Sequence, residues 1–492
     1  MKNYILFLFT IISLTAISQN EDDALRYTQE GIYGTAKYTA MGGALSAMGG
    51  EVSSISDNPA SIGMFIYSEV NFTPTLHYTK NNTIFLNSPS SEEHLKFNFN
   101  NFAYIGTQEI ENSDWKFINW GFTYKRINNF NSNTSILAFN EKSSITDYFA
   151  EASYGNTLEE LRKAPEYSNA SDIAYNSYND YLIDPISEYK DNIEYVSHFE
   201  NYGEEQSQYI KKRGREDDYS FSLGANYNNN LYIGASLNIN NIKFSYNSIF
   251  QETDPKNKIK SLNKIIYKEN FETRGSGIGA KIGFIYKITS WLRVGGAIHT
   301  PVKYELADNY WYDTYSSIKT DSKNVISDLH SGINFFDYHI KTPMKAIGAI
   351  SFIFKKRGSV NLEYNYKDYS QMELSTIVQS SEFNNSNTKI KEIFKPSHNV
   401  KIGGEYRWKN LSFRAGAAYL DSPYKQSEIN KNAFTLIYSG GLGLNYNLFY
   451  SDFALSYAQR NSHYFPYSST KINAYELNEN MYQFLVTLGI RF

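Results

Sequence analysis

The chain has 492 residues, a formal net charge of -4, no cysteine, 43 tyrosines and 32 phenylalanines. Near-neutral charge gives no footing for nucleic-acid binding. Without thiols there is no disulfide framework, thiolate metal site, cysteine nucleophile or lipidated amino-terminal cysteine. A mean hydropathy of -0.49 with 20% charged residues suits a soluble extracellular β protein, but the excess of aromatics suits a transmembrane β-barrel better: apolar residues at alternate positions, a polar lumen, and aromatic girdles at the two interfaces.

The first residues, MKNYILFLFTIISLTAIS, set Lys2 before an apolar run and then small residues at Ala16 and Ser18. This is the layout of a secretory signal peptide over residues 1–18, with the mature chain beginning near Gln19. A small-residue segment follows at 41–63, MGGALSAMGGEVSSISDNPASIG. Gly42, Gly43, Gly49 and Gly50 suit backbone passing close to a wall, and Asn58-Pro59-Ala60 suits a turn. The segment lies between the cleavage site and the first strand, so it starts at the periplasmic mouth and is expected to fold back as a plug, with residues 19–65 as a hatch and 66–492 as the barrel.

From there the chain reads as strands, and no stretch is apolar enough to cross a bilayer as a helix. Period-2 alternation recurs in fourteen segments: 66–79, 95–108, 115–127, 217–228, 231–249, 271–288, 291–306, 335–355, 359–372, 396–408, 411–420, 433–446, 449–461 and 479–492. Tight turns such as NNN (228–230), TS (289–290), KRG (356–358) and KN (409–410) alternate with longer polar loops, the pattern of periplasmic turns and extracellular loops. An even count leaves both termini periplasmic. The longest loop, about 129–216, is tyrosine-rich, contains the helix-compatible YFAEASYGNTLEELRKA, and is expected to form an extracellular cap. In the second segment Phe97 and Phe99 share one parity and Phe102 and Tyr104 the other, so a β-bulge is expected at Asn100 and Asn101, a candidate sideways exit. The final strand ends the chain on Phe492.

The stretch GTAKYTAMGGALSAMGGEVSSISDNPASIGMF resembles the amino-terminal hatch of FadL/TodX-type outer-membrane transporters, and SSITDYFAEASYG resembles a segment of one branch of that family. The resemblance implies an all-β fold, a fourteen-stranded antiparallel barrel plugged by its hatch, that moves long-chain fatty acids or other hydrophobic compounds across the outer membrane by passive diffusion, as a monomer and without covalent chemistry or cofactor. The competing function is a barrel component or partner-binding protein of an outer-membrane secretion system.

Alternation places Lys287, Arg293, Arg407, Arg414 and Arg491 inward near the periplasmic end. Such like charges need acids, so Glu51 or Asp57 of the hatch is expected to pair with one of them, with Glu363 and Glu405 neutralising others. KKRGRE (211–216) has the residue types that suit lipopolysaccharide phosphates, with outer-membrane lipid as a second partner. GSGIGA (275–280) matches a loose dinucleotide fingerprint, but a strand follows it, so its glycines are expected to make lumen room for the plug or a ligand. The eight histidines lack the spacing of a metal site. Ser397 beside His398 is the nearest candidate for hydrolase chemistry and reads better as an interface pair.

Overall fold

A computed structural model describes residues 20–163, 168–319, 324–355, 357–376 and 383–492, so the signal-peptide expectation lies outside the described residues. The strands in chain order are β1 (Glu69–Phe85), β2 (Ser88–Glu109), β3 (Trp115–Asn129) and its continuation β4 (Ser132–Asn140). A small hairpin follows, β5 (Ile183–Pro185) and β6 (Tyr195–Ser197). Then come β7 (Glu204–Tyr227), β8 (Leu231–Thr253), β9 (Leu262–Lys287), β10 (Leu292–His299) and β11 (Lys303–Lys319), the outlying β12 (Asn324–His330), β13 (Asn334–Lys341), β14 (Lys345–Ile353), β15 (Gly358–Asp368) and β16 (Glu373–Ser375). The last are β17 (Pro396–Trp408), β18 (Leu411–Leu420), β19 (Thr435–Tyr446), β20 (Phe449–Tyr464) and β21 (Tyr475–Arg491).

Each strand pairs antiparallel with its neighbours, and β21 closes on β1 from Glu69↔Arg491 to Ile84↔Glu476. With broken strands counted once, the wall has fourteen strands and no open sheet edge at its seam. Two of the breaks, between β10 and β11 and between β13 and β14, fall at Pro301 and Pro343, which lack the N–H a ladder needs. There Val302 and Thr342 bridge the two breaks, with Val302 N donating to Thr342 Oγ1 at 2.9 Å and Thr342 N to the Val302 carbonyl at 2.9 Å.

The pleat puts polar residues inside and apolar ones outside. On β1, Asn71, Thr73, Thr75 and His77 are buried in the lumen while Phe72 and Leu76 face outward. This inversion suits a lipid solvent. The outer halves of several strands run beyond the segments read from sequence. β4 and the first half of β7 pair from Ser132↔Lys212 to Asn140↔Glu204, so both ends of the expected long loop are wall. Between β1 and β2 the chain turns at Leu86 and Asn87, both at positive φ. Beyond the membrane no lipid enforces apolar alternation, so the periodic signal fades there.

Four short helical elements fill the lumen: α1 (Glu21–Arg26), α2 (Ala36–Ala40), α3 (Val52–Ile55) and a 3-10 turn (Pro59–Met64). The wall's first and last residues meet on the periplasmic side, where Ser68 and Phe492 exchange backbone hydrogen bonds of 3.0 and 3.1 Å. The described amino-terminal end, by contrast, lies far up the lumen: α1 packs beneath α7 (Asn384–Ile393) of an extracellular loop. The loop after β4 folds as α4 (Ile145–Ala152), α5 (Leu158–Leu161), α6 (Asp172–Asn179) and the β5–β6 hairpin. It shares a core with the strand tips through Phe85, Phe149, Phe250, Tyr267, Ile318 and Tyr467. That core closes the extracellular end.

Candidate functional site

The hatch meets the wall backbone to backbone. Gly42, Gly43, Gly49 and Gly50 all take left-handed φ of 60 to 74°, a conformation other residues adopt at a cost. The wall answers with glycines of its own. A Cβ on Gly416 would stand 2.2 Å from Gly42 N, one on Gly403 2.2 Å from the Met41 carbonyl, and one on Gly283 2.1 Å from Asn58 Oδ1. Asn58 is fully buried. Its amide donates to the carbonyls of Ser46 (2.7 Å) and Phe284 (3.0 Å), while its Oδ1 accepts from Ala60 N at 3.1 Å and so starts the 3-10 turn with Pro59 at its first position. Gly277 and Gly279 of GSGIGA face inward too, but against Tyr304 and Val302, 2.6 and 2.9 Å from the would-be Cβ atoms. The plug sits one layer nearer the periplasm, so those two glycines make room for neighbouring wall side chains.

The five basic residues do not share one counter-ion. Glu405 accepts from Arg407 Nε (2.6 Å) and Arg414 Nε (2.7 Å), Asp452 accepts from Arg414, and Glu69 accepts from Arg491 Nε at 3.1 Å. Arg293 reaches the hatch through the Met48 carbonyl at 2.7 Å, and Lys287 closes the periplasmic turn with its N–H on Asn230. Wall acids supply most of the neutralisation because register puts Glu405 directly opposite Arg414. Glu51 caps α3 through Ser54 N at 2.8 Å and accepts from Thr35 Oγ1 at 2.5 Å. These groups border a polar vestibule of about 340 Å³ that also includes Lys37, Glu51 and Tyr450.

Asp57 lies one layer further out and forms a different centre. It accepts from the Tyr38 hydroxyl, and the ammoniums of Lys125, Lys345 and Lys401 stand 3.6, 3.8 and 4.0 Å from its carboxylate. Glu363 pairs with Lys401 at 2.9 Å rather than with the periplasmic arginines. Sequence reading missed these lysines because each sits alone on its own strand, and only barrel closure brings them together.

The wall changes between β2 and β3. Thr73 faces Asn101 but Pro74 faces Phe99, which leaves Asn100 as the extra residue of a bulge. The β1–β21 ladder also skips Thr73 and Pro74. β2 pairs with β3 only from Asn101↔Lys125 to Glu109↔Phe117, while β4 pairs with β7 and passes behind β1, where Asn81 Nδ2 donates to the Asn133 carbonyl at 2.6 Å and Thr83 Oγ1 to the Ser135 carbonyl at 2.6 Å. From Ser88 to Asn100, then, β2 has a ladder on its β1 side and none on its β3 side. A side chain crosses instead: the Tyr124 hydroxyl donates to the Phe99 carbonyl at 3.3 Å. Phe97 and Phe99 cover the membrane side.

Two further sequence features separate. Ser397 is buried inward while His398 lies exposed on the other face, its Nδ1 2.7 Å from the Tyr364 hydroxyl, so they form no nucleophile-base pair. KKRGRE lies within β7 and alternates faces. Lys212 sits inside over the Tyr464 ring, whereas Arg213 donates to the Ser132 carbonyl at 2.9 Å, so the run is not one phosphate-binding patch.

Residues 221–432 match the family model described as outer membrane protein transport protein (OMPP1/FadL/TodX). No curated protein matches in sequence. Among solved structures, a Pseudomonas aeruginosa FadL homologue aligns with a TM-score of 0.53 at 10% identity, covering 94% of this chain and 99% of that one. The Ralstonia pickettii toluene transporter TbuX (TM-score 0.50, 14% identity, 94% and 99% covered) and the Pseudomonas putida toluene transporter TodX (0.50, 11%, 94% and 100%) share the same fold. The plugged fourteen-stranded barrel and the match over residues 221–432 agree: the chain has the fold of the FadL/TodX outer-membrane transport proteins and is similar to that family over this stretch.

Proposed function

We propose that the protein takes up hydrophobic compounds with a polar head, such as long-chain fatty acids, and releases them sideways through the wall at Asn100. The observation that carries this reading is the unpaired edge of β2 from Ser88 to Asn100. The axial route is unsuited to an apolar molecule, since below the hatch it would meet the ion pairs of Arg407, Arg414 and Arg491 and would strip charged groups of their partners. The membrane face beside the bulge carries an apolar groove of about 560 Å³ bordered by Pro74, Leu76, Phe97, Leu442, Phe453 and Phe484. An alkyl chain leaving the wall gains roughly 25 cal/mol per Å² of area kept from water there.

The test is photo-crosslinking with a diazirine-bearing fatty acid in reconstituted vesicles. The expected adducts fall on the β2 edge around Phe97 to Asn101. Adducts confined to the vestibule residues Arg407, Arg414 and Arg491 would contradict the sideways route.

A further inference from the structure

Charge is unevenly spread around the periplasmic rim. Three turns that follow one another along the wall, between β9 and β10, β14 and β15, and β17 and β18, supply the exposed cations Lys355, Arg357 and Lys409 and the aromatic side chains Trp291, Phe354 and Trp408. Backbone hydrogen bonds join them: Ile353 N donates to the Trp291 carbonyl at 2.8 Å, and Arg407 N to the Arg357 carbonyl at 2.6 Å. The rest of the rim differs. The β2–β3 turn carries Glu111 and Asp114, with Lys116 held by the Ser113 carbonyl at 2.7 Å. The β7–β8 turn is Asn228-Asn229-Asn230, the β19–β20 turn is Asn447-Leu448, and at the seam Arg491 is paired with Glu69.

Among the described residues no carboxylate pairs with Lys355, Arg357 or Lys409, whereas their neighbour Arg407 turns inward to Glu405 at 2.6 Å. Lys287 shares the lumen-facing parity of the buried Ile285 and is not counted with them. Trp291, Phe354 and Trp408 lie on the membrane side, 53, 58 and 55% exposed. Trp291 stacks on Phe352 with ring centroids 6.3 Å apart. Lys409, at the edge of the vestibule, holds its ammonium 5.7 Å from the centre of the Trp408 ring. Indole rings settle where hydrocarbon gives way to headgroups, so this ammonium stands at the level of lipid phosphates. Lys355 and Arg357 share a turn with Phe354, and their long stems reach the same level. An aromatic girdle is general to such barrels; three unpaired cations beside one sector of it are particular to this chain.

We infer that this sector of the rim binds the phosphate of an anionic phospholipid of the periplasmic leaflet, of the phosphatidylglycerol type, on Lys355, Arg357 and Lys409. The Arg357 fork suits two phosphate oxygens, and the two ammoniums add point charge. A zwitterionic lipid carries its own cation beside the phosphate and gains less from the same groups. Glu111 and Asp114 repel the anionic head, so anionic lipid gathers along the β10 to β18 side and avoids the β2–β3 turn. The surface lies outside the wall, and the inference does not rest on the transport reading above.

The experiment is fluorescence quenching of the full-length protein in phosphatidylcholine bilayers by dibrominated phosphatidylglycerol or dibrominated phosphatidylcholine, with folding checked by heat-modifiable gel mobility. The chain has 5 tryptophans. Trp115→Phe, Trp120→Phe and Trp311→Phe together leave Trp291 and Trp408 as reporters, while Trp291→Phe, Trp311→Phe and Trp408→Phe leave Trp115 and Trp120 beside the acidic turn. The first reporter set is expected to show a preference for the anionic lipid of at least about 3-fold, and the second none. Lys355→Gln, Arg357→Gln and Lys409→Gln, combined in the first set, are expected to remove that preference. So is about 1 M sodium chloride without those three changes, since charges are then screened beyond roughly 3 Å. Equal quenching by the two lipids at Trp291 and Trp408, or a preference that survives the three glutamines or the salt, overturns the site. The same preference at Trp115 and Trp120 overturns its assignment to this sector. Inorganic phosphate that abolishes the preference at millimolar concentration marks a free-phosphate site and overturns the lipid as its ligand.

Discussion

Gly416 has no side chain because the hatch occupies the space: its Cβ would press on Gly42 N. Gly416→Val is therefore expected to unseat the hatch and give measurable conductance in planar bilayers, whereas Gly348→Ala, with nothing within 4 Å of the added Cβ, is expected to leave the barrel closed. The two hatch acids separate in the same assay. Glu51→Gln keeps an acceptor for Ser54 N and is expected to behave as wild type. Asp57→Asn leaves three buried lysines short of their shared counter-charge, a change on the order of 3 kcal/mol or more, and is expected to give frequent openings. Equal behaviour of the two variants would mean that packing alone holds the hatch. The hatch glycines, Asn58 and Pro59 were legible because left-handed backbone and turn geometry restrict residue type locally. The partners of Asp57 were not, since their juxtaposition depends on closure of the whole sheet.

Among the elements, the cap after β4 shows how much a local signal reveals. Helical spacing in YFAEASYG foretold part of α4, and the helix starts earlier, at a capping box formed by Ser144 and Asp147. α7 went unread because its first turns are rich in asparagine, a weak helix former, and its amphipathic pattern is confined to Lys389–Ile393. The cap also carries titratable groups. Burial pushes Asp180, just after α6, up to about 6, and the hydrogen bond that His198 Nδ1 donates to the Asp184 carboxylate raises His198 above its ordinary value. A group whose folded value is raised adds stability that is fully present below its unfolded value and is lost as pH rises through the folded one. Hydrogen exchange in α6 and the β5–β6 hairpin is thus expected to be slower at pH 5 than at pH 8 after correction for intrinsic rates. Asp180→Asn is expected to slow it at pH 8 and to change little at pH 4. Protection that rises with pH would contradict this.

On the scale of the whole molecule, the strand count was readable because lipid enforces alternation in every wall strand, as in β21, where Phe484, Val486, Leu488 and Ile490 face out while Gln483 and Thr487 are buried. The same rule explains what was lost. The upper halves of β7, β8 and β9 face water, so only pairing defines them, and the Leu86-Asn87 turn carries no glycine or proline to announce it. The slip at Asn100 was legible as a change of parity, but the missing β2–β3 ladder depends on where β4 goes and has no local signature.

The bulge at that unpaired edge is the centre of the account, and deleting Asn100 tests it most directly. Removal of the extra residue restores regular alternation along β2, with Phe99 still outward and Asn101 still inward, and lets the ladder run straight past Pro74. Fatty-acid uptake into vesicles reconstituted with the deleted protein, checked for folding by heat-modifiable gel mobility, is predicted to fall at least 10-fold relative to the wild type. A folded deletion variant that transports at the wild-type rate would contradict release through the wall at this bulge.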